Sequence, residues 1–210
     1  MKDVDNHGFT LQKVSYLTLE DGRELKGYIK LVNFQNGLMR SLRFELADGT
    51  KEKLMAAYVV RMRAAASDLG KLGAIAESAG SAKRWGNTST EDILKRDFVY
   101  YERAKLPGKK EKYVLLQLVN PGFDSAIKVY DDPDAQESAG IGMGGVKMTG
   151  GILKSYYTIR NGVALLVKKG KYKELFAEIY GDCPELVQEY PEMRFQDFAE
   201  HVYAHEQLCK

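Results

Sequence analysis

Two histidines near the end of the chain have the spacing that a shared metal site requires. His201 and His205 lie four residues apart, so on one helix their imidazoles can hold a metal ion together. A helical wheel places His205 at the border of the apolar stripe and His201 just outside it, with Glu200 and Glu206 on other sides. We therefore expect surface histidines and no metal, and a metal-dependent hydrolase using His201 and His205 is the third functional hypothesis.

The two cysteines, Cys183 and Cys209, offer a second kind of chemistry. They are the only thiols of the chain, neither belongs to a Cys-x-x-Cys pair, and no histidine lies close to Cys183 in the sequence. A zinc site is therefore not expected. Two such cysteines fit one disulfide in an oxidising compartment or two buried thiols in a reducing one.

Two further motifs resemble catalytic signatures but lack the surrounding structure. Residues 140–145 match G-x-G-x-x-G, yet the acidic stretch 131–134 precedes them where a phosphate-binding loop follows a strand. We expect the Gly-rich segment 139–151 to be a surface loop, with its role left open. Ser125 and Lys128 match S-x-x-K but enter a predicted strand, where they point to opposite faces. The sequence therefore predicts no catalytic residue and no cofactor.

Basic clusters and tyrosines are the remaining candidates for binding. Residues 105–112 and 168–173 are rich in lysine, which favours a solvated edge but is also compatible with a bound polyanion. The thirteen tyrosines include the pairs Tyr100–Tyr101 and Tyr156–Tyr157, of which one member each should face solvent. Aromatic rings on a sheet can stack on sugars or bases, but more often they pack across strands.

Composition excludes several classes of protein. The chain has 210 residues, 44% of them hydrophobic and 29% charged, which is typical of a globular protein rather than a disordered or collagen-like one. Its formal net charge of +2 is too balanced to indicate nucleic-acid binding. No apolar run is long enough for a transmembrane helix. Acidic residues stand near Met1 where a signal peptide carries positive charge, so we expect a cytosolic chain or a removed leader.

Turn signals and alternating apolar residues predict an antiparallel sheet in both halves of the chain. Asp21-Gly22, Asp48-Gly49 and Asn161-Gly162 predict tight hairpins, and Pro107-Gly108 predicts a type II turn. Strands are predicted over 14–19, 25–32, 38–46, 98–102, 113–120, 126–130, 155–160 and 163–167, and 51–62 gives one or two short apolar pieces.

Three short helices are predicted after the last hairpin. Tyr172, Leu175, Phe176 and Ile179 form one apolar stripe of a helix that ends at Gly181. A second helix begins at 182–185, where Asp182 is predicted as the capping acid, and the third spans about 196–208.

These elements predict an α+β fold in three parts. Residues 1–63 form a small, barrel-like antiparallel β-domain, 64–95 form a connector rich in Ala, Gly and Ser, and 96–210 form an antiparallel sheet followed by three short helices.

The strand pair at 17–29 resembles the opening of an Sm-like small barrel. The residues that stack on and bond uracil in that family are replaced here, at 33–37 and at 59–62. The resemblance therefore implies a strand pair but not RNA binding.

A second resemblance covers more of the chain. The D-G-x-x-x-x-G strand pair from Asp21 to Gly27, the hairpin at 156–163, the G-D-C-P-x-L turn at 181–186 and a last helix ending in Cys209 are similar to a group of uncharacterised bacterial envelope proteins. The resemblance implies export, to the periplasm or outside the cell, and a bridge between Cys183 and Cys209. It implies no activity.

Our main functional hypothesis is a non-enzymatic binding or structural module of the bacterial cell envelope, with its ligand unknown. Its partner would be a protein or an envelope polymer, and nucleic acid is not favoured. The alternative is a cytosolic, Sm-like nucleic-acid-binding protein. The oligomeric state is left open.

Overall fold

The structure is a computed structural model that describes residues 8–68, 71, 95–107, 113–133, 135, 142–143, 146–147 and 155–209. Its strands are β1 (Ser15–Leu19), β2 (Glu24–Gln35), β3 (Leu38–Leu46), β4 (Lys51–Met55), β5 (Val59–Ala65), β6 (Phe98–Lys105), β7 (Tyr113–Leu118), β8 (Lys128–Asp131), β9 (Gly142–Met143), β10 (Val146–Lys147), β11 (Ser155–Arg160) and β12 (Val163–Lys168). The C-terminal region contains the helices α1 (Tyr172–Tyr180), α2 (Pro184–Glu189) and α3 (Phe198–Leu208). Short 3₁₀ turns cover Ala56–Tyr58, Lys169–Lys171 and Phe195–Asp197.

Ten of the described strands form one antiparallel sheet. Their order is β12-β11-β8-β7-β6-β5-β1-β2-β3-β4, while β9 and β10 pair separately. Strand β5 joins the two halves, because it pairs with β1 on one side and with β6 on the other. The first strand described in the chain therefore lies in the interior of the sheet.

One face of β1 to β7 encloses the first core. Leu17 lies opposite Leu25 and Met62 on the neighbouring strands, and all three are buried. The sheet curls so that β3 approaches β7, and Leu115 of β7 belongs to the same cluster as Phe44 of β3. Because side chains alternate along a strand, the residues between these face away from this core.

The hairpin between β2 and β3 connects the two halves a second time. Asn36 and Gly37 form its two-residue turn with φ angles of 51° and 69°, the left-handed values that this turn type needs. A Cβ at Gly37 would lie 2.7 Å from the carbonyl oxygen of Pro133. The next residue, Leu38, is buried with Leu118 and other residues of the second half. This hairpin is not among the turns predicted from the sequence.

Three of the four predicted turns lie within the described residues and are present. At Asn161-Gly162 both residues have positive φ, 48° and 78°. At Asp21-Gly22 and Asp48-Gly49 only the glycine does, with φ of 84° and 86°. There each aspartate accepts a hydrogen bond from the backbone N–H two residues on, at 3.0 and 2.9 Å. Gly108 lies outside the described residues, so the turn at Pro107-Gly108 stays a prediction.

The three predicted C-terminal helices pack on the sheet at β8, β11 and β12. The predicted stripe of α1 is buried at Tyr172, Phe176 and Ile179. These side chains share a core with Val129 and Val167 of the sheet. Strand β11 is therefore covered on both faces. The helices pack on one face, and the hairpin between β2 and β3 packs on the other.

The structure confirms an α+β fold with antiparallel strands and three C-terminal helices, but it corrects the expected separation of the sheets. The N-terminal strands do not form a barrel of their own, because β5 pairs with β6 and makes one continuous sheet. The boundaries 1–63 and 96–210 stay predictions. Most of the connector 64–95 and most of the Gly-rich segment 139–151 lie outside the described residues.

Candidate functional site

Aromatic and basic side chains share the face of the sheet that points away from the first core. Tyr16 on β1 lies opposite Lys26 on β2 and Arg63 on β5. Arg63 in turn lies opposite Tyr100 on β6. Cross-strand partners point to the same face, and the intervening Leu17 points to the core. These residues therefore form a row across four strands.

The cations of this row lie over its rings. The guanidinium of Arg63 is 4.7 Å from the ring centre of Tyr16 and 5.8 Å from that of Phe98. The two rings meet edge to face at 5.7 Å. The ammonium of Lys26 lies 6.0 Å from the Tyr16 ring. These are cation–π distances, so the rings hold the cations at the surface.

The same face continues over β3 and β4. Tyr28 lies opposite Glu45, and Glu45 lies opposite Lys51. The ammonium of Lys30 is 5.7 Å from the Tyr28 ring and 3.4 Å from Glu45. We call the whole surface the aromatic–basic face, defined as Tyr16, Lys26, Tyr28, Lys30, Arg43, Lys51, Lys53, Arg61, Arg63 and Phe98.

Positive charge is concentrated on the aromatic–basic face. Its seven basic residues share this side of the sheet with three acidic ones, Glu24, Glu45 and Glu102. The formal charge of the entire chain is only +2. The remaining residues of the sequence therefore carry a net negative formal charge, and the positive charge of this face attracts anions.

A buried carboxylate lies at the border of the aromatic–basic face. Glu102 on β6 is 8% exposed. It accepts hydrogen bonds from Lys128 Nζ at 2.5 Å, from Arg61 Nε at 3.1 Å and from the Tyr130 hydroxyl at 3.2 Å. Burial acts to raise the pKa of Glu102, but the hydrogen bond and charge of Lys128, the charge of Arg61 and the Tyr130 hydroxyl outweigh it and hold the pKa below its usual value. The carboxylate is thus an ionised structural group.

Replacing Glu102 by glutamine should destabilise the fold by about 1–2 kcal/mol at neutral pH, because Lys128 and Arg61 lose a charged acceptor. The pKa of Glu102 is lowered on folding, so its stabilisation is complete above the usual value of 4.5 and disappears as the pH falls through the lower folded value. Urea unfolding at neutral pH and at about pH 3 should therefore show that acidification lowers the free energy of unfolding less in the variant than in wild type. Glu45→Gln is the matched control, since Glu45 is more exposed, and equal stability of Glu102→Gln and wild type at neutral pH would contradict the assignment.

The two histidines are buried, which corrects the expectation that they lie at the surface. His201 and His205 are 0% and 1% exposed. Their helix α3 is covered by α1 and by the segment after α2, so its buried stripe is wider than the wheel indicated. His201 stacks on the ring of Tyr172, and its Nδ1 shares a hydrogen bond of 2.5 Å with the Tyr172 hydroxyl. The ring of Tyr190 contacts it edge to face.

His205 contacts a carboxylate that the sequence analysis assigned to a helix cap. Its Nε2 lies 3.3 Å from Oδ1 of Asp182, and Arg160 also pairs with Asp182. Burial raises the pKa of Asp182, but the hydrogen bonds from Arg160 and His205 outweigh it and the pKa is lowered. Asp182 does not cap α2, because Cys183 holds the N-cap position without a side-chain bond. Within the described residues, Nδ1 of His205 is buried without a hydrogen-bond partner.

A disulfide joins Cys183 and Cys209. Their Cα atoms are 5.6 Å apart, and the two residues are 26 positions apart in the chain. The bond connects the residue before α2 to the residue after α3, and Cys183 is fully buried. The disulfide therefore links the two ends of the segment that contains α2 and α3.

One group of three potential metal ligands exists in the described part of the chain, and it includes the disulfide. The carboxylate of Glu185 and the sulfurs of Cys183 and Cys209 lie within 4.8 Å of one another. Metal binding by cysteine needs thiolates, and here the sulfurs are bonded to each other. The two histidines do not belong to this group.

Ser125 and Lys128, the residues of the S-x-x-K motif, contact different partners. Ser125 donates a hydrogen bond of 2.5 Å to Glu206, whereas Lys128 binds Glu102. They do not contact each other as a nucleophile and base would. In the lysine cluster at 168–173, the lysines are exposed around the start of α1. In the cluster at 105–112, residues 108–112 lie outside the described residues.

The expected exposure of the tyrosine pairs holds for only one of them. Tyr101 is buried and Tyr100 is half-buried, but Tyr156 and Tyr157 are both buried. Tyr156 packs under the helices and Tyr157 packs with Leu38.

Comparisons with protein-family models, curated proteins and solved structures give no match. Among the helices of the described residues, none combines the length and the apolar character needed to cross a bilayer.

The aromatic–basic face was not predicted from the sequence. Its signal was the alternation in β2, where Leu25, Gly27 and Ile29 point to the core and Lys26 and Tyr28 point outward. The contribution of β1, β5 and β6 depends on strand order, which the alternation within one strand does not reveal.

Proposed function

We propose that this protein is a non-enzymatic binding module of the bacterial cell envelope, and that the aromatic–basic face is its binding surface. The observation that carries the proposal is the row of Lys26, Tyr16 and Arg63 across three paired strands. Paired strands hold side chains at fixed spacing, so little conformational entropy is lost when a ligand binds.

The disulfide supports a location outside the cytoplasm. Bonds such as Cys183–Cys209 persist in oxidising compartments and are rare in the reducing cytosol. The family resemblance at 181–186 favours the same location. Periplasm and cell exterior are both compatible with it.

Two ion-paired carboxylates, the buried Glu102 and the exposed Asp182, favour binding over catalysis. Glu102 is held by Lys128 and Arg61, and Asp182 is held by Arg160 and His205. Both carboxyl groups have lowered pKa values, so they stay ionised at neutral pH and are poor general acids. The arrangement therefore gives the hydrolase hypothesis no support.

Cosedimentation of the full, oxidised chain with washed cell-envelope fragments of the bacterium that produces it tests this proposal. Wild type should bind saturably, and Lys26→Glu/Arg63→Glu should remain in the supernatant because it reverses the two central cations. Lys169→Glu/Lys173→Glu makes the same charge change at exposed residues around the start of α1 and should bind like wild type.

Two results would contradict the proposed function. One is wild type that stays in the supernatant, and the other is an equal loss of binding in both variants, which would mean that only net charge matters. Maleimide labelling of the same cell fractions tests the compartment: the chain should be extracytoplasmic and unlabelled until reduced, and a labelled cytosolic form would contradict that location.

A further inference from the structure

We infer that the ligand of the aromatic–basic face is an acidic polysaccharide, a sugar polymer with carboxylates distributed along its length. This ligand class rests on the proposed function, since it assumes that the face is a binding surface outside the cytoplasm.

Several cations of the face have no acidic partner among the residues that the structure describes. Lys30 and Lys51 pair with Glu45, and Arg61 pairs with Glu102. Four others have no carboxylate within ion-pair distance in the described part of the chain: Lys26, Arg43, Lys53 and Arg63. Their charges are available to an external anion.

The protein's own Glu45 shows how the face holds a carboxylate. Lys30 on β2 and Lys51 on β4 approach it from both sides, at 3.4 and 3.5 Å. Lys26 and Arg63 flank Tyr16 in a comparable row, but the central residue there is uncharged. A ligand carboxylate over Tyr16 would complete this second row.

The distribution of the cations favours an extended anion over a compact one. They stand on four strands, β2 to β5, and adjacent strands are about 4.8 Å apart. A single phosphate or sulfate is bound by donors that converge on one point, whereas Lys26 and Arg63 are separated by Tyr16 on β1. A polymer that crosses the strands meets the charges one after another.

The rings make nucleic acid the less suitable polyanion. Single-stranded nucleic acids stack their bases on open aromatic faces. The Tyr16 ring is covered by Arg63 at 4.7 Å and approached by Lys26 at 6.0 Å, and Lys30 lies over Tyr28 at 5.7 Å. The rings position cations, so recognition depends on charge, which an acidic polysaccharide supplies without bases.

Binding of the full, oxidised chain to polygalacturonate tests the assignment, with heparin, neutral dextran and poly(U) as parallel probes. Wild type should bind polygalacturonate saturably and lose binding in about 0.5 M NaCl, where surface charges are screened. Lys26→Glu/Arg63→Glu should weaken the affinity about 30-fold, since two attractions become repulsions. Lys169→Glu/Lys173→Glu should stay within about twofold of wild type.

Lys26→Arg/Arg63→Lys keeps both charges and should retain binding, and a matching thermal transition in every variant excludes unfolding. Equal or tighter binding to neutral dextran or to poly(U) would overturn the assignment, and so would preference for heparin with no binding to polygalacturonate. Envelope binding that persists without polygalacturonate binding would overturn this ligand class and leave the proposed function standing. Loss of both would reject the proposed function as well.

Discussion

Replacing Cys183 and Cys209 together by alanine should lower the free energy of unfolding by about 3.5 kcal/mol, the loop-closure value for a crosslink of this span. The two cysteines are 26 residues apart and enclose α2 and α3. Without the bond, the unfolded chain regains the conformations that the crosslink forbids. Urea unfolding followed by circular dichroism measures the change.

The single variants and reduction provide the controls. Cys183→Ala and Cys209→Ala each break the same bond. Each should therefore lower the free energy of unfolding by nearly as much as the double variant does. Wild type in dithiothreitol should unfold at the midpoint of the double variant. A loss below about 1 kcal/mol would show that the helical layer does not depend on the crosslink.

Replacing Gly27 by alanine should cost about 2 kcal/mol, because the strand pair has no room for a methyl group. A Cβ at Gly27 would overlap the backbone carbonyl oxygen of Glu45 and lie 3.0 Å from Cε1 of Phe44. Phe44 is fully buried, so β2 and β3 would have to separate at the core. Thermal or urea unfolding of the variant measures the effect.

Gly122→Ala is the matched control. Its φ is not positive and no atom lies within 4 Å of the added Cβ, so the change should stay within about 0.5 kcal/mol. Equal stability of the two variants would mean that β3 moves away from Gly27 without cost. The same close approach gives a physical reason for the second glycine of the D-G-x-x-x-x-G pair, whose first glycine makes the turn.

Local features of the fold could be predicted from the sequence. Hairpin turns depend on two residues, as at Asn161-Gly162, and the stripe of α1 depends on a spacing of three and four residues. Both are determined by neighbouring residues, and both are present in the structure. The hairpin at Asn36-Gly37 carries the same signal and could have been identified.

Features that depend on distant contacts could not be predicted. The pairing of β5 with β6 joins residues 59–65 to 98–105, and no pattern within either strand selects that partner. The burial of His201 and His205 depends on how α1 and the segment after α2 lie against α3. A helical wheel for α3 alone shows one apolar stripe, and it gives no sign that two separate parts of the chain, α1 and the segment after α2, pack against this helix.

The candidate site was missed for the same reason. The row of Lys26, Tyr16 and Arg63 takes one residue from each of three strands, and it exists because β1 lies between β2 and β5. The sequence does show alternation in β2, which predicts an outward Lys26 but not its neighbours.

The interior position of β1 sets the order in which the sheet can be completed during synthesis. Its two partners, β2 and β5, end at residues 35 and 65, so a nascent chain can form only one border of β1 before residue 65 leaves the ribosome. Until then the backbone groups on the other border of β1 lack their strand partner and can pair with another chain. Strand β1 is thus enclosed only after β2 and β3, which follow it in the chain, already have both of their strand partners.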